Sequence, residues 1–394
     1  MSAAVLGSRT LFPTLTAQAY LSHSAIAPVS TPVRAVVLAA LDDFANRGMM
    51  AFADWVEHRE QLRINLATLL GTRSENLALL QGTSAGIAAV AQCFPWRWDT
   101  QEQIIVFEGE FPANVTAWQQ VGVLHPARPE ILMHSAEAFR KPSGDGLAKL
   151  EEALKAGQVA LVAVSAVQFQ TGLRMPIGAM AKLCHAHGAA LFVDAIQAVG
   201  VVPFDMTASG ADFVAGGAHK WLMGVEGAGY LAVAERWHGR LRPVTAGWLS
   251  HEQPLDFLFG APIDYTRGIR PEPSFLEAGS QSTISFAALA AAVELLRDLG
   301  IENVFDHVQR YLDPLEAGMV ALGFESLRAI DPAQRSGTLS MRAPDGVDVA
   351  ALNGQLASGG VMATTPEGLL RLAPSWPNAL DEVPQVLAAV KAAL

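Results

Sequence analysis

The sequence is poor in cysteine and in positive charge, and each scarcity argues against a class of protein. Its 394 residues include only two cysteines, Cys93 and Cys184, and neither belongs to a CxxC or other metal-ligand pattern. A disulfide scaffold and a structural zinc site are therefore not expected. Lys and Arg number 27 against 38 Asp and Glu, a net charge of -11, with no basic block. We therefore expect neither a nucleic-acid partner nor binding to an anionic membrane.

Long apolar runs are also missing. No run approaches the roughly 20 residues that span a bilayer, and the segment around Arg9 lacks the apolar stretch of a signal peptide. Together with the scarce cysteines, this predicts a cytoplasmic protein. The composition is 51% hydrophobic and 16% charged, which is sufficient for a large buried core and atypical of a disordered chain.

Short apolar runs alternate with amphipathic stretches from about residue 60 to 235, which predicts βαβ units. Because these runs are continuously apolar, they fit strands of a mostly parallel sheet with helices on both faces. The predicted strands are Ile104–Phe107, Ala160–Val167, Ala189–Val193, Asp212–Ala215 and Gly229–Val233.

The texture changes after the predicted sheet. Irregular loops fill residues 245–281, and a helix is predicted over Ser285–Leu299. Short strands near Gly337–Met341 and Leu369–Leu372, with a final helix from Asp381, predict a smaller α+β unit. We expect an N-terminal segment over residues 1–30 that packs with this small domain, a large domain over 31–284, and a small C-terminal domain over 285–394.

Two segments carry residues typical of catalytic sites. Asp194 ends an apolar strand and Gln197 follows three residues later, at the sheet edge where α/β folds bind ligands. Such a carboxylate caps a helix, binds a metal or pairs with a cationic ring nitrogen, and capping is the commonest role. Further along, Lys220 lies within the glycine-rich, apolar stretch Gly216–Gly224. Burial lowers the pKa of an amine, as a Schiff-base lysine requires.

Asp194 and Gln197, followed by the pair His219-Lys220, resemble the signature of the class V aminotransferase family. These fold-type I pyridoxal-5'-phosphate (PLP) enzymes include cysteine desulfurases, isopenicillin N epimerase-like proteins and kynureninase. The resemblance covers nearly the whole chain and implies an α/β fold, with a mostly parallel seven-stranded sheet between helices and a smaller C-terminal α+β domain. By this resemblance, Lys220 forms a Schiff base with PLP, Asp194 pairs with the pyridine nitrogen and Gln197 bonds the phenolic oxygen.

The same resemblance gives a role to the turn Gln81–Gly86, which precedes an apolar helical run, Ile87–Cys93. Thr83 and Ser84 stand where the family binds the cofactor phosphate, although an ordinary helix cap is the commoner reason for such residues. His219 is a further phosphate donor by this resemblance, although a lone histidine is often merely packed. Many relatives carry Ser two residues before that histidine, whereas this chain has Gly217, so one phosphate hydroxyl is missing.

Three further assignments concern the rest of the cofactor. Phe111 is expected to stack on the pyridine ring, with ordinary core packing as the alternative. Gln168 is expected to supply an amide to the cofactor or substrate, although Gln170 has the same spacing on a strand and the pattern does not separate them. Trp248 and Ser280 resemble segments that reach the phosphate of a neighbouring subunit. We therefore expect a homodimer with active sites at the subunit interface.

Arg371 is flanked by leucines on a predicted strand. Burying a guanidinium requires an anion or a structural salt bridge, and its planar fork suits a carboxylate. The family carries its substrate-carboxylate arginine in a matching segment, so Arg371 is expected to bind the α-carboxylate of a small amino-acid substrate.

The reaction is less closely specified, because PLP supports several. No cysteine follows Cys184, which argues against the mobile thiol of a persulfide-forming desulfurase. We therefore expect transamination, or β-elimination at a C–S bond without a persulfide cysteine. Isopenicillin N epimerase-like racemisation and kynureninase-like hydrolysis remain alternatives, as does a non-catalytic PLP-fold scaffold. A Rossmann nucleotide-binding enzyme is disfavoured because no G-x-G-x-x-G turn precedes a helix in the N-terminal half.

Overall fold

The fold was examined in a computed structural model, which describes residues 3–97, 99–124, 128–140 and 144–394. A seven-stranded sheet forms its centre, in the order β2-β8-β7-β6-β5-β3-β4. The strands are β2 (Leu77–Leu80), β3 (Gln103–Phe107), β4 (Glu130–His134), β5 (Val159–Ser165), β6 (Ala190–Asp194), β7 (Phe213–Gly217) and β8 (Gly229–Val233), and a short strand, β1 (Ala19–Tyr20), precedes them.

Four of the neighbouring pairs in this sheet are parallel, and β8 runs antiparallel to both β7 and β2. Since β2 and β7 are both antiparallel to β8, their carboxyl ends lie at the same edge as those of β3, β5 and β6. The predicted mostly parallel sheet is confirmed. Each of the five predicted strands is present, with bounds shifted by at most two residues at an end.

Helices cover both faces of the sheet, as expected for strands buried on two sides. The thirteen helices in the described ranges are α1 (Thr31–Arg47), α2 (Phe52–Leu69), α3 (Thr83–Cys93), α4 (Ala113–Gln119), α5 (Val121–Leu124), α6 (Glu137–Arg140), α7 (Gly146–Ala156), α8 (Ile177–Ala186), α9 (Met206–Ser209), α10 (Thr283–Leu299), α11 (Ile301–Ala321), α12 (Val349–Ser358) and α13 (Val383–Ala393). One apolar core contains side chains from α3 and α4, and the other contains side chains from α2, α7, α8 and α10.

A second, smaller sheet lies in the C-terminal part. It is antiparallel, with the order β12-β10-β9, and its strands are β9 (Glu325–Ser326), β10 (Leu339–Arg342) and β12 (Leu370–Leu372). The short strand β11 (Val361–Met362) pairs in parallel with β1, so the N-terminal segment contacts the C-terminal part. No helix in the described ranges is long and apolar enough to cross a membrane.

Candidate active site

The carboxyl edge of the large sheet carries a cavity of about 690 Å³. The turn before α3, the loop after β3, the turn after β6 and the segment after β7 all reach it, because these strands end at one edge. Eight residues singled out from the sequence line this cavity, here called the Lys220 cavity: Thr83, Ser84, Phe111, Asp194, Gln197, His219, Lys220 and Arg371.

Lys220 follows β7 by three residues and is held by a compact turn. The backbone amide of Met223 donates to the carbonyl of Lys220, and Gly224 donates to Ala218. Burial lowers the pKa of Lys220 to about 8; Arg371 also lowers it, whereas the charge of Asp194 raises it. The amine is therefore more often neutral at physiological pH than an exposed lysine.

Asp194 ends β6 and is 3% exposed. Its Oδ1 accepts a hydrogen bond from the backbone amide of Ile196 at 3.0 Å. Burial raises its pKa to about 6, while this hydrogen bond and the charge of Lys220 lower it. A turn rather than a helix follows Asp194, so the alternative of a helix cap does not account for this carboxylate.

Gln197 is buried and ties the turn after β6 to two other segments. Its Nε2 donates to the Ser24 carbonyl at 3.0 Å, and its Oε1 accepts from Trp221 Nε1 at 2.9 Å. These bonds fix the amide beside Lys220 and leave the second hydrogen of Nε2 for another acceptor.

The start of α3 supplies hydroxyl and amide groups to the cavity. Thr83 Oγ1 is buried, and no partner is recorded for it in the described structure. A Cβ built on Gly217 lies 3.2 Å from this oxygen, so a side chain at 217 would crowd it. His219, also on the cavity wall, has its pKa lowered by burial and by Lys220. An unpaired hydroxyl at the N-terminus of an 11-residue helix is a feature that an anion would complete.

Phe111 and Phe169 form an aromatic wall. Their ring centroids are 5.4 Å apart at 90°, and Lys220 Nζ lies 5.6 Å from the Phe111 centroid. Phe111 is 48% exposed and lines the cavity, so it is not an ordinary core residue.

Arg371 lies on β12, and neighbouring groups fix its guanidinium. Its Nε donates to Thr364 Oγ1 at 3.0 Å, and its Nη1 donates to the Phe169 carbonyl at 2.7 Å. Within the described ranges, no salt bridge of Arg371 is found, which argues against the structural salt bridge. Burial lowers its pKa to about 10, which leaves it charged at neutral pH. The guanidinium is therefore a fixed cation facing the cavity.

The structure does not bring Gln168 or its alternative Gln170 into the lining of the Lys220 cavity. The expectation that both lie on a strand is wrong, because β5 ends at Ser165 and residues 169–171 form a turn. The Gln168 amide is used locally: Nε2 donates to the Glu108 carbonyl at 3.3 Å and Oε1 accepts from Thr171. Phe169, between the two glutamines, lines the cavity instead.

Trp248 and Ser280 also lie outside the Lys220 cavity. They line a separate cavity of about 600 Å³, here called the Trp248 cavity, together with side chains of α1 and α2 such as Phe44 and Phe52. The two residues are therefore near each other but are not in contact with the Lys220 cavity in a single chain.

Sequence patterns missed several lining residues, namely Ser24, Ala25, Ile26, Phe169, Glu226 and Thr364. Residues 24–26 belong to the N-terminal segment, which the sequence assigned only to packing. No spacing or composition signal distinguishes them, because the tertiary fold alone brings them to the edge of the sheet.

The residues present fit PLP. The cavity offers a buried amine, an acid at the end of a strand, an exposed aromatic face and an unpaired hydroxyl at a helix N-terminus. No cluster of three or more metal-ligating side chains that could hold a metal ion is found in the described parts of the chain.

The chain is similar to known proteins over most of its length. Residues 24–370 match the family model for Aminotransferase class-V. The chain is 26% identical over 378 residues to the uncharacterized aminotransferase YcbU of Bacillus subtilis, covering 95% of this chain and 94% of that protein. It is 26% identical over 340 residues to kynureninase of Xanthomonas campestris pv. campestris, covering 81% and 76% respectively.

Among solved structures, a C-DES mutant with glycine covalently linked to its PLP cofactor superposes with a TM-score of 0.87. The sequence identity is 20%, and the match covers 97% of this chain and 98% of that one. At this identity the likeness establishes the fold, while the family match over most of the chain establishes membership. The chain therefore belongs to the class V aminotransferase family and is a PLP-dependent enzyme.

Proposed function

We propose that this protein acts at the Cα of a small amino acid, by transamination or by β-elimination at a C–S bond that uses no persulfide cysteine. The observation that carries the proposal is the placement of Lys220, Asp194 and Arg371 in one cavity. The amine of Lys220 suits the chemistry at the amino group of the substrate, and the carboxylate of Asp194 suits the cofactor ring. The fixed guanidinium of Arg371 suits the carboxylate of an amino acid.

When bound, PLP supplies the electron withdrawal that weakens the bonds at Cα. Lys220 would hold the cofactor, and its Nζ would accept the Cα proton of the substrate. Its pKa of about 8 suits this task, because the neutral amine is far more populated near neutral pH than that of an exposed lysine. Asp194 keeps the pyridine nitrogen protonated.

Arg371 binds the α-carboxylate of the substrate. Its Nε and one hydrogen of Nη1 are engaged by Thr364 and the Phe169 carbonyl, so Nη2 and the second hydrogen of Nη1 form the edge that meets the substrate. Because the guanidinium is already fixed, little side-chain freedom is lost when the substrate binds.

The remaining cavity residues hold the cofactor. Thr83, Ser84 and His219 would bind its phosphate, Phe111 would stack on its ring, and the free Nε2 hydrogen of Gln197 would bond its phenolic oxygen. The unpaired Thr83 Oγ1 and the exposed face of Phe111 support these assignments.

The position of the cysteines supports chemistry without a persulfide. Cys93 and Cys184, which are all the cysteines of the chain, are buried and do not line the Lys220 cavity. Burial raises the pKa of Cys93 and raises that of Cys184 to about 12, so neither thiol is poised as a nucleophile.

The active protein is a homodimer in the cytoplasm, with Trp248 and Ser280 of each chain completing the phosphate site of the partner. An apolar, exposed surface around the Trp248 cavity supports this assembly.

The absorption spectrum between roughly 300 and 500 nm tests the proposal. PLP is added to wild type and to Lys220→Ala, and amino acids including cysteine follow. We expect a band in wild type that Lys220→Ala lacks. An amine-form spectrum with a keto acid indicates transamination, whereas pyruvate or sulfide with a restored band indicates elimination. Inversion of the amino acid alone supports the epimerase alternative, and a wild type without any lysine-dependent band supports the scaffold.

A further inference from the structure

Glu110 is a buried carboxylate that the proposed mechanism does not use. It directly precedes Phe111, and its side chain points into the protein rather than into the Lys220 cavity. Its Oε1 accepts from the backbone amide of Ser165 at 2.7 Å, and its Oε2 accepts from Ser165 Oγ at 2.5 Å and from Asn114 Nδ2 at 2.9 Å. The Glu110 carboxylate therefore accepts hydrogen bonds from three donors, which lie on two other elements.

The first of these elements is the end of β5, which lies beside Asp194. Ser165 and Asp194 are directly paired across the parallel ladder between β5 and β6. The backbone amide of Ala166 also donates to the Asp194 carbonyl at 2.8 Å. A bond from Glu110 to Ser165 therefore reaches the strand pair that fixes Asp194.

The second element is the first turn of α4. Asn114 Nδ2 donates to Glu110, while Asn114 Oδ1 accepts from Trp118 Nε1 at 3.2 Å. Trp118 is 1% exposed and packs edge-on against Phe192 of β6. The loop that carries Phe111 is thus joined to both β5 and the core under β6.

Phe111 needs such an anchor because its ring has little packing of its own. Phe111 is nearly half exposed, and its ring contacts Phe169 and Lys220. A carboxylate is an unfavourable group to bury: burial raises the pKa of Glu110 to about 7 in spite of its hydrogen bonds. When a carboxylate is buried at the rim of a site in spite of its unfavourable burial energy, the site requires a group at that position.

We propose that Glu110 is a positioning residue that holds Phe111 and Asp194 as one unit, so that the groups meeting the face and the nitrogen of the cofactor ring keep a fixed separation. This inference rests on the proposed function, in which both residues contact PLP. Glu110 itself acts through them and touches neither substrate nor cofactor.

Glu110→Gln tests the inference at nearly constant volume, since one amide oxygen replaces two acceptor oxygens facing three donors. Glu108→Gln is the matched control, because Glu108 is an exposed carboxylate of the same loop. We measure the Kd of PLP for the apo-protein and the circular dichroism of the bound cofactor. Glu110→Gln is expected to raise the Kd about 10-fold, which corresponds to losing one hydrogen bond to a charged acceptor, and to weaken the cofactor dichroism. Glu108→Gln is expected to change neither.

Ser165→Ala provides a second variant if Glu110→Gln folds poorly, because it removes one hydroxyl donor and leaves the backbone donor in place. We expect a rise in Kd of about 3-fold, and a double variant Glu110→Gln/Ser165→Ala whose effect is smaller than the product of the single effects. A lower melting temperature of the apo-protein with an unchanged Kd and dichroism would overturn the inference, since Glu110 would then be merely structural. Failure of the proposed function is a different result: wild type itself then binds no PLP.

Discussion

Lys220, Arg371 and Asp194 all line the Lys220 cavity, and burial shifts the pKa of each toward its neutral form. The pKa of Lys220 falls to about 8 and that of Arg371 to about 10, while that of Asp194 rises to about 6. Arg371 remains charged at neutral pH, whereas the pKa of Lys220 comes close to neutral pH. The same desolvation therefore leaves the Arg371 guanidinium charged and brings the Lys220 amine to a pKa at which it titrates near neutral pH.

The pH dependence of cofactor uptake follows from the shift at Lys220. The neutral amine is the nucleophile, so the rate at which apo-protein gains the lysine-dependent absorption band should rise with pH, with a midpoint near pH 8. Arg371→Gln should move the midpoint upward, because Arg371 lowers the pKa of Lys220. Stopped-flow absorbance measures both. A midpoint near the value of 10.5 for an exposed lysine in wild type would contradict the environment described here.

His23 makes a separate prediction about stability. It is 1% exposed, its Nδ1 contacts the Ala373 carbonyl at 3.0 Å, and burial lowers its pKa from 6.5 to about 4. The unfolded chain thus binds more protons between these two values, and stability falls as the pH drops from about 6.5 to about 4. The loss attributable to this group amounts to at most about 3 kcal/mol.

Urea unfolding of wild type and His23→Gln at pH 7 and pH 4.5 measures this contribution. The stability difference between the two pH values should be smaller in His23→Gln, because its side chain does not titrate. His187→Gln, at a partly exposed position outside the Trp248 cavity, serves as the control and should behave as wild type. Equal pH sensitivity of His23→Gln and wild type would refute the assignment.

The sequence predicts the site best where a residue lies in a strand–turn segment. Asp194, Lys220 and Thr83 follow apolar strands or open a helix, so a local pattern identifies them. The sequence does not predict Phe169, because its contact with Arg371 joins residues about 200 positions apart. It does not predict Thr364, because an isolated bridge alone places that residue beside Arg371. The prediction that Gln168 lies on a strand is wrong because turns follow β5 directly.

At the scale of elements, close approach of strand ends shapes the cavity edge. Gly229 begins β8, where it faces Gly217 of β7 and Leu80 of β2. A Cβ at this position would overlap the Gly216 carbonyl oxygen and lie 2.6 Å from Gly82 Cα. Both neighbours are backbone atoms beside the cavity, so neither can move without displacing the turn before α3 or the end of β7.

Gly229→Ala should therefore destabilise the protein by about 1 to 3 kcal/mol, as overpacking does, and should weaken PLP binding. Gly178→Ala is a suitable comparison: it lies in α8, and its nearest recorded neighbour would be 3.9 Å from the new Cβ. That variant should be neutral or more stable by up to about 1 kcal/mol. Denaturant unfolding ranks the two, and equal stabilities would show that the strand ends can separate.

Two strands of the large sheet were absent from the prediction, for different reasons. The apolar run of β2 spans only four residues and follows a helix rich in leucine. So short an apolar run is compatible with either a strand or a helix, so the pattern does not identify it as a strand. The edge strand β4 is only partly buried, so it lacks the continuous apolar character of its neighbours.

At the scale of the whole molecule, exposed apolar side chains gather around the Trp248 cavity. Phe44, Phe52 and Trp248 line this cavity and are exposed, and Phe257 packs edge-on against Trp248 with centroids 6.0 Å apart. Large apolar patches on a single chain are typical of association surfaces. The proposed homodimer buries this one.

Sedimentation analysis should give a mass twice the 41.8 kDa of one chain. Phe52→Glu should shift the protein toward monomer and weaken PLP binding, since the partner contributes Trp248 and Ser280 to the site. Ile330→Glu introduces the same charge at an exposed position outside the Trp248 cavity and should leave the mass unchanged. A wild type that sediments as a single chain at micromolar concentration would exclude the shared site.

The segment containing β1 has a consequence for how the protein is made. Residues 24–26 form part of the cavity wall, and the same segment pairs with Val361–Met362 and bonds to Ala373. During synthesis, the pairing of β1 with β11 therefore forms only after about 340 further residues have left the ribosome, whereas the bond from Gln197 to the Ser24 carbonyl can form earlier. Contacts of such sequence separation form late, so the large sheet can fold well before the pocket closes. A nascent chain should then complete the wall of its cofactor cavity only after β11 and Ala373 have been made.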